Sequence, residues 1–208
     1  GEQVRSRLFE PKNVVITCSS SAKLTTSLDS YWLNKSLLLS IDKKMSSNFD
    51  PWSRQNDEKL YDIAKSYKKE NKTYQIPQHT TLDIQPLDKY DNRQIKKFIK
   101  KLYNSAALRG IDISMYKRNN ISKLVSLVYN QLCSPIFHKI IQYTRYACSY
   151  TKENSSPFKN INDVCFPYEE AYTECEAHHC LEIILATCAY CAKKLCFNHF
   201  FMDYHYHE

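Results

Sequence analysis

The sequence predicts an α/β fold followed by a small module rich in cysteine and histidine. In the first half, short β-branched stretches alternate with amphipathic helical ones, an order typical of parallel β-α units. Longer helical patterns follow to about residue 150, and five of the nine cysteines then fall between Cys175 and Cys196. We therefore expect one domain over residues 1–155 and a separate module over residues 163–208, joined by a polar linker at 151–163.

Three strands and two helices are expected in the first part of the chain. Short apolar runs with polar ends predict strands at 13–19, 36–42 and 73–77. A helix is predicted at 25–35, with Thr25 or Thr26 as its N-cap. Another is predicted at 56–71, because acidic side chains fill its first turn and lysines its last. The polar residues between, 43–55, are expected to form a loop.

Three further helices extend the α/β unit. Helical periodicity covers 92–108, 121–132 and 134–150, and Pro135 suits a first helical turn. The first of these helices places apolar side chains on one face and basic ones on the other. The basic face holds the candidate DNA-binding residues Arg93, Lys96, Lys97, Lys100 and Lys101. Such a stripe either follows a nucleic-acid backbone or is an ordinary solvated face.

Composition excludes several classes of function. The chain has only two glycines, so neither a dinucleotide fingerprint nor a nucleotide P-loop can be written, and no nucleotide cofactor is expected. No run of 18 apolar residues exists, so no membrane span is expected, and the polar N-terminus does not look like a signal peptide. The net charge of +7 permits nucleic-acid contact without requiring it.

The tail contains four closely spaced pairs of potential metal ligands. They are Cys175 and Cys180, Cys188 and Cys191, Cys196 and His199, and His205 and His207. His178 and His179 are alternates. Eight ligands are enough for two tetrahedral zinc ions, and sulfur with imidazole favours zinc over magnesium or calcium. With no open position, both ions would be structural. Buried thiols, disulfides and an iron–sulfur cluster are the alternatives, and Cys165 is expected to be a core residue.

The ligand spacing resembles that of cross-brace zinc modules such as B-boxes and RING-like fingers, in which alternate pairs share an ion. The resemblance implies that the first and third pairs hold one zinc. The first ion would be held by Cys175, Cys180 or a neighbouring histidine, Cys196 and His199. The second would be held by Cys188, Cys191, His205 and His207.

A second resemblance rests on the stretch "IPQHTTLDIQPLD", residues 76–88. It resembles a signature of eukaryotic DDE/DDD transposases of the pogo/Tigger kind, in the wider mariner group. Pro77, Thr80, Thr81 and the run Gln85 to Asp88 match that signature. The stretches 13–26 and 36–42 are similar to core strands of these transposases, and the cysteine-rich end looks like that of an invertebrate transposase-derived group.

The resemblance implies an RNase H-like core in which carboxylates on strand ends bind two magnesium ions for strand transfer at a DNA phosphate. Asp42 matches the second catalytic acid and Asp88 the third. The first acid has no counterpart, and Asp42 is followed by Lys43 and Lys44, whose charges would compete with a cation. The alternative is that Asp42 and Asp88 have no catalytic role and are a loop carboxylate and a helix-capping carboxylate.

Together these patterns favour a domesticated, catalytically inactive, transposase-derived protein with two zinc ions. We expect it to act in the nucleus as a binding or scaffold component that contacts a protein partner, DNA or both. A homodimer formed through the tail is a further expectation. The alternative is an active DDD transposase, truncated in this chain, that performs magnesium-dependent DNA strand transfer.

Overall fold

The computed structural model describes residues 8–17, 25–37, 44–49, 70–75, 80, 84–168 and 173–208. The chain forms two compact units. The first contains Gly1–Arg7 and Val15–Gln85, and the second contains Leu8–Val14 and Pro86–Glu208. All of the candidate metal ligands therefore belong to the second unit.

The described part of the first unit contains one helix and one pair of strands. Helix α1 spans Thr26–Trp32 and continues into a π-helical segment at Leu33–Leu37. Thr25 is its N-cap and accepts a hydrogen bond from the Leu28 amide at 3.4 Å, which confirms the predicted helix start. Strand β1, Lys44–Phe49, pairs in parallel with β2, Glu70–Gln75.

The predicted strands and the loop of this region are only partly right. The strand at 73–77 is confirmed over 73–75. The strand at 13–19 is wrong over 13–17, which form a turn and irregular backbone. The loop at 43–55 is wrong over 44–49, because these polar residues form β1. Of the predicted strand at 36–42, residues 36 and 37 are helical, so the prediction is wrong there, and the rest lie outside the described residues. The predicted helix at 56–71 lies outside them over 56–69 and is wrong at residues 70 and 71, which belong to β2.

The pairing of β1 with β2 is parallel. The sequence predicted parallel β-α units, but it placed the strand that precedes 73–77 at 36–42 and not at 44–49. Two paired strands are common to many α/β folds and do not establish an RNase H-like core. That finer assignment stays a prediction. What the described residues establish is a mainly helical chain with small two-stranded sheets and clustered cysteine and histidine side chains.

The second unit contains the helices predicted for the middle of the chain. A π-helical segment, Leu87–Asp91, leads into α2 at Asn92–Leu108. Helix α3 spans Arg118–Leu132. A 3₁₀ turn at Pro135–Phe137 then opens α4, His138–Ala147. These bounds confirm all three predicted helices. None of the described helices is long and apolar enough to cross a membrane.

A short helix overlaps the end of the stretch predicted to be a linker, 151–163. Helix α5 spans Ile161–Cys165 and begins with a capping box formed by Asn160 and Asp163. The Asn160 amide donates to the Asp163 carboxylate at 2.9 Å. Ile161 and Cys165 are fully buried, so the helix belongs to the core of the unit. The expectation that Cys165 is a core cysteine is confirmed.

One hydrophobic core joins these helices to the tail. Phe98 on α2 is fully buried, and its ring centroid lies 5.0 Å from that of Phe166 and 6.0 Å from that of Phe200. The tail adds an antiparallel pair of strands, β3 at Ala186–Thr187 and β4 at Lys194–Leu195. The division into 1–155 and 163–208 stays a prediction, and α2 to α5 share one core with the tail.

A strap, Leu8–Val14, belongs to the second unit and packs on the rest of it. The Phe9 ring meets the Tyr204 ring edge to face, with centroids 4.8 Å apart. The Lys12 ammonium lies 2.6 Å from the Glu208 carboxylate. The side-chain amide of Asn13 donates to the Ser126 carbonyl at 3.1 Å. The strap therefore ties α3 to the C-terminal residues.

Candidate metal centres

Eight of the tail's cysteine and histidine side chains converge in two groups. In each group, the four possible ligand atoms all lie within 4.8 Å of one another. Centre A consists of Cys175, Cys180, Cys196 and His199. Centre B consists of Cys188, Cys191, His205 and His207. These are the same two sets that the cross-brace resemblance implied, because the first pair in the sequence meets the third and the second meets the fourth.

Centre A offers three sulfurs and one nitrogen. The Cys180 and Cys196 sulfurs lie 3.8 Å apart. The His199 Nδ1 lies 3.4 Å from the Cys175 sulfur and 3.1 Å from that of Cys196. Cys175 and Cys196 are buried, whereas Cys180 and His199 are partly exposed. The group therefore sits at the edge of the core, with its sulfur-rich side inward.

Backbone hydrogen bonds bring the ligands of centre A together. The Cys175 amide donates to the Glu182 carbonyl at 2.8 Å and closes the turn that carries Cys180. Cys196 follows β4 directly, and His199 lies in the π-helical segment Asn198–Met202. The Cys196 amide also donates to the Cys175 sulfur at 3.2 Å, a contact that orients the sulfur.

Centre B offers two sulfurs and two nitrogens. The Cys188 sulfur lies 3.3 Å from the His207 Nε2, and the Cys191 sulfur lies 3.4 Å from the His205 Nε2. The two Nε2 atoms are 3.0 Å apart. Cys188 is buried, Cys191 is exposed, and the histidines are partly exposed. This centre is closer to solvent than centre A on its Cys191 side.

A tight turn positions the two cysteines of centre B. The Cys188 amide donates to the Lys193 carbonyl, and the Ala192 amide donates to the Cys188 carbonyl, both at 2.9 Å. Ala192 has a φ of 57°, in the left-handed region that favours glycine. The histidines follow a bend at Tyr204, after which the His205 amide donates to the Phe200 carbonyl at 3.1 Å.

The spacing of the ligand atoms fits tetrahedral zinc. With usual zinc–ligand bond lengths, a tetrahedron places sulfurs about 3.8 Å apart, sulfur and nitrogen about 3.6 Å apart, and two nitrogens about 3.3 Å apart. The observed separations are 3.8 Å for Cys180 and Cys196, 3.4 Å for Cys191 and His205, and 3.0 Å for His205 and His207. Thiolate and imidazole are also the donor types that zinc prefers.

Burial sets the charge states of two ligand side chains. It raises the pKa of the Cys196 thiol to about 11, so in a metal-free chain this thiol is protonated at neutral pH. Burial, with His205 and Lys193 nearby, lowers the pKa of His207 and favours the neutral imidazole that binds metals. Zinc binding at centre A would therefore release a proton from Cys196.

The two alternate ligands lie outside both centres, and no disulfide joins the cysteines of the described residues. His178 and His179 are exposed and lie in neither group. Every cysteine in the described part of the chain has a free thiol, so the structure pairs none of them in a disulfide. The clustering of cysteines with histidines in two sets of four distinguishes these groups from scattered core thiols.

The other candidate residues lie on or before α2. The five basic residues of the predicted stripe are all exposed on α2. Asp88 is partly buried and accepts a hydrogen bond from the Asn92 side chain at 2.7 Å, so it is engaged locally at the start of the helix. Asp42 lies outside the described residues, and its separation from Asp88 is therefore not defined.

Sequence reasoning missed two buried amide side chains beside centre B. Asn130 and Gln131 end α3, are 4% and 0% exposed, and hydrogen-bond to segments that carry centre B ligands. A pair of adjacent amides within an apolar helical pattern is the one sequence signal that points to them. Without the fold, that signal cannot be told from two surface residues.

Residues 146–207 match the family described as the Tc5 transposase C-terminal domain. The matched segment contains all eight ligands of centres A and B. No curated protein and no solved structure shows significant similarity to the chain. The match supports a transposase-derived protein and does not address the DDE/DDD class or the pogo/Tigger subgroup.

Proposed function

We propose that this chain is a transposase-derived binding protein whose tail is folded around two structural zinc ions. The observation that carries the proposal is the pair of four-ligand groups inside the segment that matches a transposase C-terminal domain. Four protein ligands in each group leave no open position for water or substrate, which is typical of structural rather than catalytic zinc.

The tail has little regular secondary structure, so bound zinc would be needed to stabilise its fold. Strands β3 and β4 have two residues each, and short paired strands contribute little stability alone. Zinc bound to four side chains would supply folding free energy by crosslinking the tail at two points. The tail would then present a fixed surface for a partner.

The zinc content of the purified protein tests this proposal. Native mass spectrometry is expected to find two zinc ions per chain. Replacing Cys188 and Cys191 by serine removes the two thiolates of centre B, so one ion should remain. Cys133→Ser is the matched control, because Cys133 is exposed and lies outside both groups; it should keep both ions. A wild-type chain purified without chelator and carrying no metal would contradict the proposal.

We propose that the basic face of α2 contacts the backbone of DNA. Arg93, Lys96, Lys97, Lys100 and Lys101 are all exposed along one helix, and the chain has a net charge of +7. Lysine contacts to phosphates release counterions and make binding sensitive to salt without reading sequence. A DNA-contacting role is consistent with action in the nucleus, which is part of the proposal.

Charge reversal on α2 tests the DNA contact. Lys97→Glu with Lys101→Glu should weaken binding to duplex DNA by at least about tenfold at low salt and reduce the salt slope by about 2. Fluorescence anisotropy over a salt series measures both. Lys139→Glu with Lys152→Glu makes the same charge change at two exposed positions outside α2 and should have a smaller effect. Equal effects of the two double variants on DNA affinity would reject a specific role for α2 in DNA binding. A protein that binds the tail would then be the remaining proposed partner.

We further propose that the chain does not cut DNA. The match of 76–88 to a transposase signature favours the alternative, a magnesium-dependent strand transferase. Against it, Asp88 is engaged with Asn92, and Lys43 and Lys44 follow Asp42. Magnesium-dependent strand transfer by a protein that contains an additional upstream aspartate would support the enzyme instead.

A further inference from the structure

We propose that Asn130 and Gln131, at the end of α3, are positioning residues of centre B and determine its metal affinity. The inference rests on the proposed zinc function. Both residues lie outside the segment 146–207 that matches the transposase domain. A sulfur of centre B therefore accepts a hydrogen bond from α3, whereas the donor to the Cys175 sulfur of centre A comes from within the tail.

Gln131 holds the cysteine side of centre B. Its side chain is fully buried, and its Nε2 lies 3.5 Å from the Cys188 sulfur, to which it donates. Its Oε1 accepts from the Ala189 amide at 2.7 Å. The N–H group holds the Cys188 sulfur in place, and the second bond fixes the turn that carries the sulfur. Ser134 adds a hydrogen bond to the Ala189 carbonyl at 2.8 Å.

Asn130 holds the histidine side of the same centre. Its Nδ2 donates to the His207 carbonyl at 2.7 Å, and its Oδ1 accepts from the His207 amide at 3.2 Å. The two bonds fix the backbone of the ligand residue in the way a neighbouring strand would. The ring of His207 also stacks on Tyr190, with centroids 5.1 Å apart, which limits its rotation.

The two centres therefore depend on α3 to different extents. In centre A, the amide that donates to the Cys175 sulfur belongs to Cys196, which is itself a ligand of that centre. In centre B, the donor to Cys188 comes from Gln131, 57 positions earlier in the chain. Removing a hydrogen bond to a metal ligand typically lowers metal affinity by about 10–100-fold. Removing the Gln131 hydrogen bond should therefore lower the affinity of centre B and leave that of centre A unchanged.

Cobalt(II) can distinguish the two centres in the full chain. Centre A has three sulfurs and one nitrogen, and centre B has two of each. Their thiolate-to-cobalt and ligand-field bands should differ in intensity and position, and Cys188→Ser with Cys191→Ser identifies the bands of centre B. Titration against a competing chelator then gives a separate affinity for each centre.

Gln131→Met keeps the side-chain volume and removes both hydrogen bonds. We expect it to weaken cobalt and zinc binding at centre B by about 10–100-fold and to leave centre A unchanged. Gln131→Glu retains an acceptor for the Ala189 amide but loses the donor to sulfur, and should also weaken centre B. Thr144→Val is the control, because it removes a buried hydroxyl on α4 that bonds only to the Ile140 carbonyl among its described contacts; it should affect neither centre.

Three outcomes would overturn the inference. They are unchanged affinity at centre B in both Gln131 variants, an equal loss at both centres, and loss of the helical circular dichroism signal, which would make Gln131 a general core requirement. A wild-type chain that binds no cobalt or zinc at either centre is a different result, since it rejects the proposed zinc function itself.

Discussion

If the two proposed zinc ions are bound, removing them is expected to unfold the tail and to lower the melting temperature of the whole chain by at least about 10 °C. Structural zinc sites typically supply about 10–16 kcal/mol in small domains. A loss of even about 4 kcal/mol shifts the melting temperature of a chain this size by roughly 8–16 °C. The tail contains little regular secondary structure of its own, since β3 and β4 form only two paired positions.

A strong chelator followed by thermal melting monitored by circular dichroism measures this effect. The helical signal at low temperature should largely persist, because α2 to α4 contain most of the described helix. Limited proteolysis should then cut within 173–208. Chelator already saturated with zinc is the control and should change nothing. A chain shown by elemental analysis to have lost its metal, but with an unchanged melting temperature and an intact tail, would contradict the structural role.

Phe98→Ala is expected to lower the free energy of unfolding by about 3–5 kcal/mol, the usual cost of removing a buried phenylalanine ring. Phe98 is fully buried, and its ring lies against Phe166 and Phe200. The cavity would open between α2 and the segment that carries His199. We therefore expect the variant also to lose zinc to a chelator more readily than wild type does.

Urea denaturation with a parallel zinc-release assay measures both consequences. Tyr103→Ala is the matched control on the same helix, because its side chain is 56% exposed; its effect should stay within about 0.5 kcal/mol. If Phe98→Ala destabilises the helices but leaves zinc release unchanged, the helices and the tail do not share a core in solution.

The parts of the fold that sequence could predict are those fixed by local patterns. The apolar spacing on α2 predicted both its bounds and its inner face, and Phe98 and Leu102 are fully buried. The grouping of the ligands was also predicted, because Cys188 and Cys191 can reach one ion only from a tight turn, and interleaved pairs of this kind resemble a cross-brace. The helix could be predicted from residues next to one another, whereas the grouping of the ligands came from the order of the pairs along the tail.

The predictions that were wrong depend on distant contacts. Residues 13–17 have the apolar character of a strand, but the Asn13 side chain bonds to Ser126, 113 positions away, and irregular backbone results. Strand β1 lacks an apolar run. Helix α5 did have a local signal, the capping box of Asn160 and Asp163, but it is short and lies in a polar stretch. The amides of Asn130 and Gln131 acquire their role only when the tail folds back onto α3.

The order of the units along the chain has a consequence for protein synthesis. The strap Leu8–Val14 belongs to the second unit, yet residues 15–85, of the first unit, separate it from the rest. Its bonds link Phe9 to Asn119 and Lys12 to Glu208, 110 and 196 positions apart. Because the chain is synthesised from its N-terminal side, Phe9 can bond to Asn119 only after residue 119 has been made, and Lys12 can bond to Glu208 only after residue 208 has been made. The contacts of the strap in the second unit are therefore complete only after the segment that contains His205 and His207 has been synthesised.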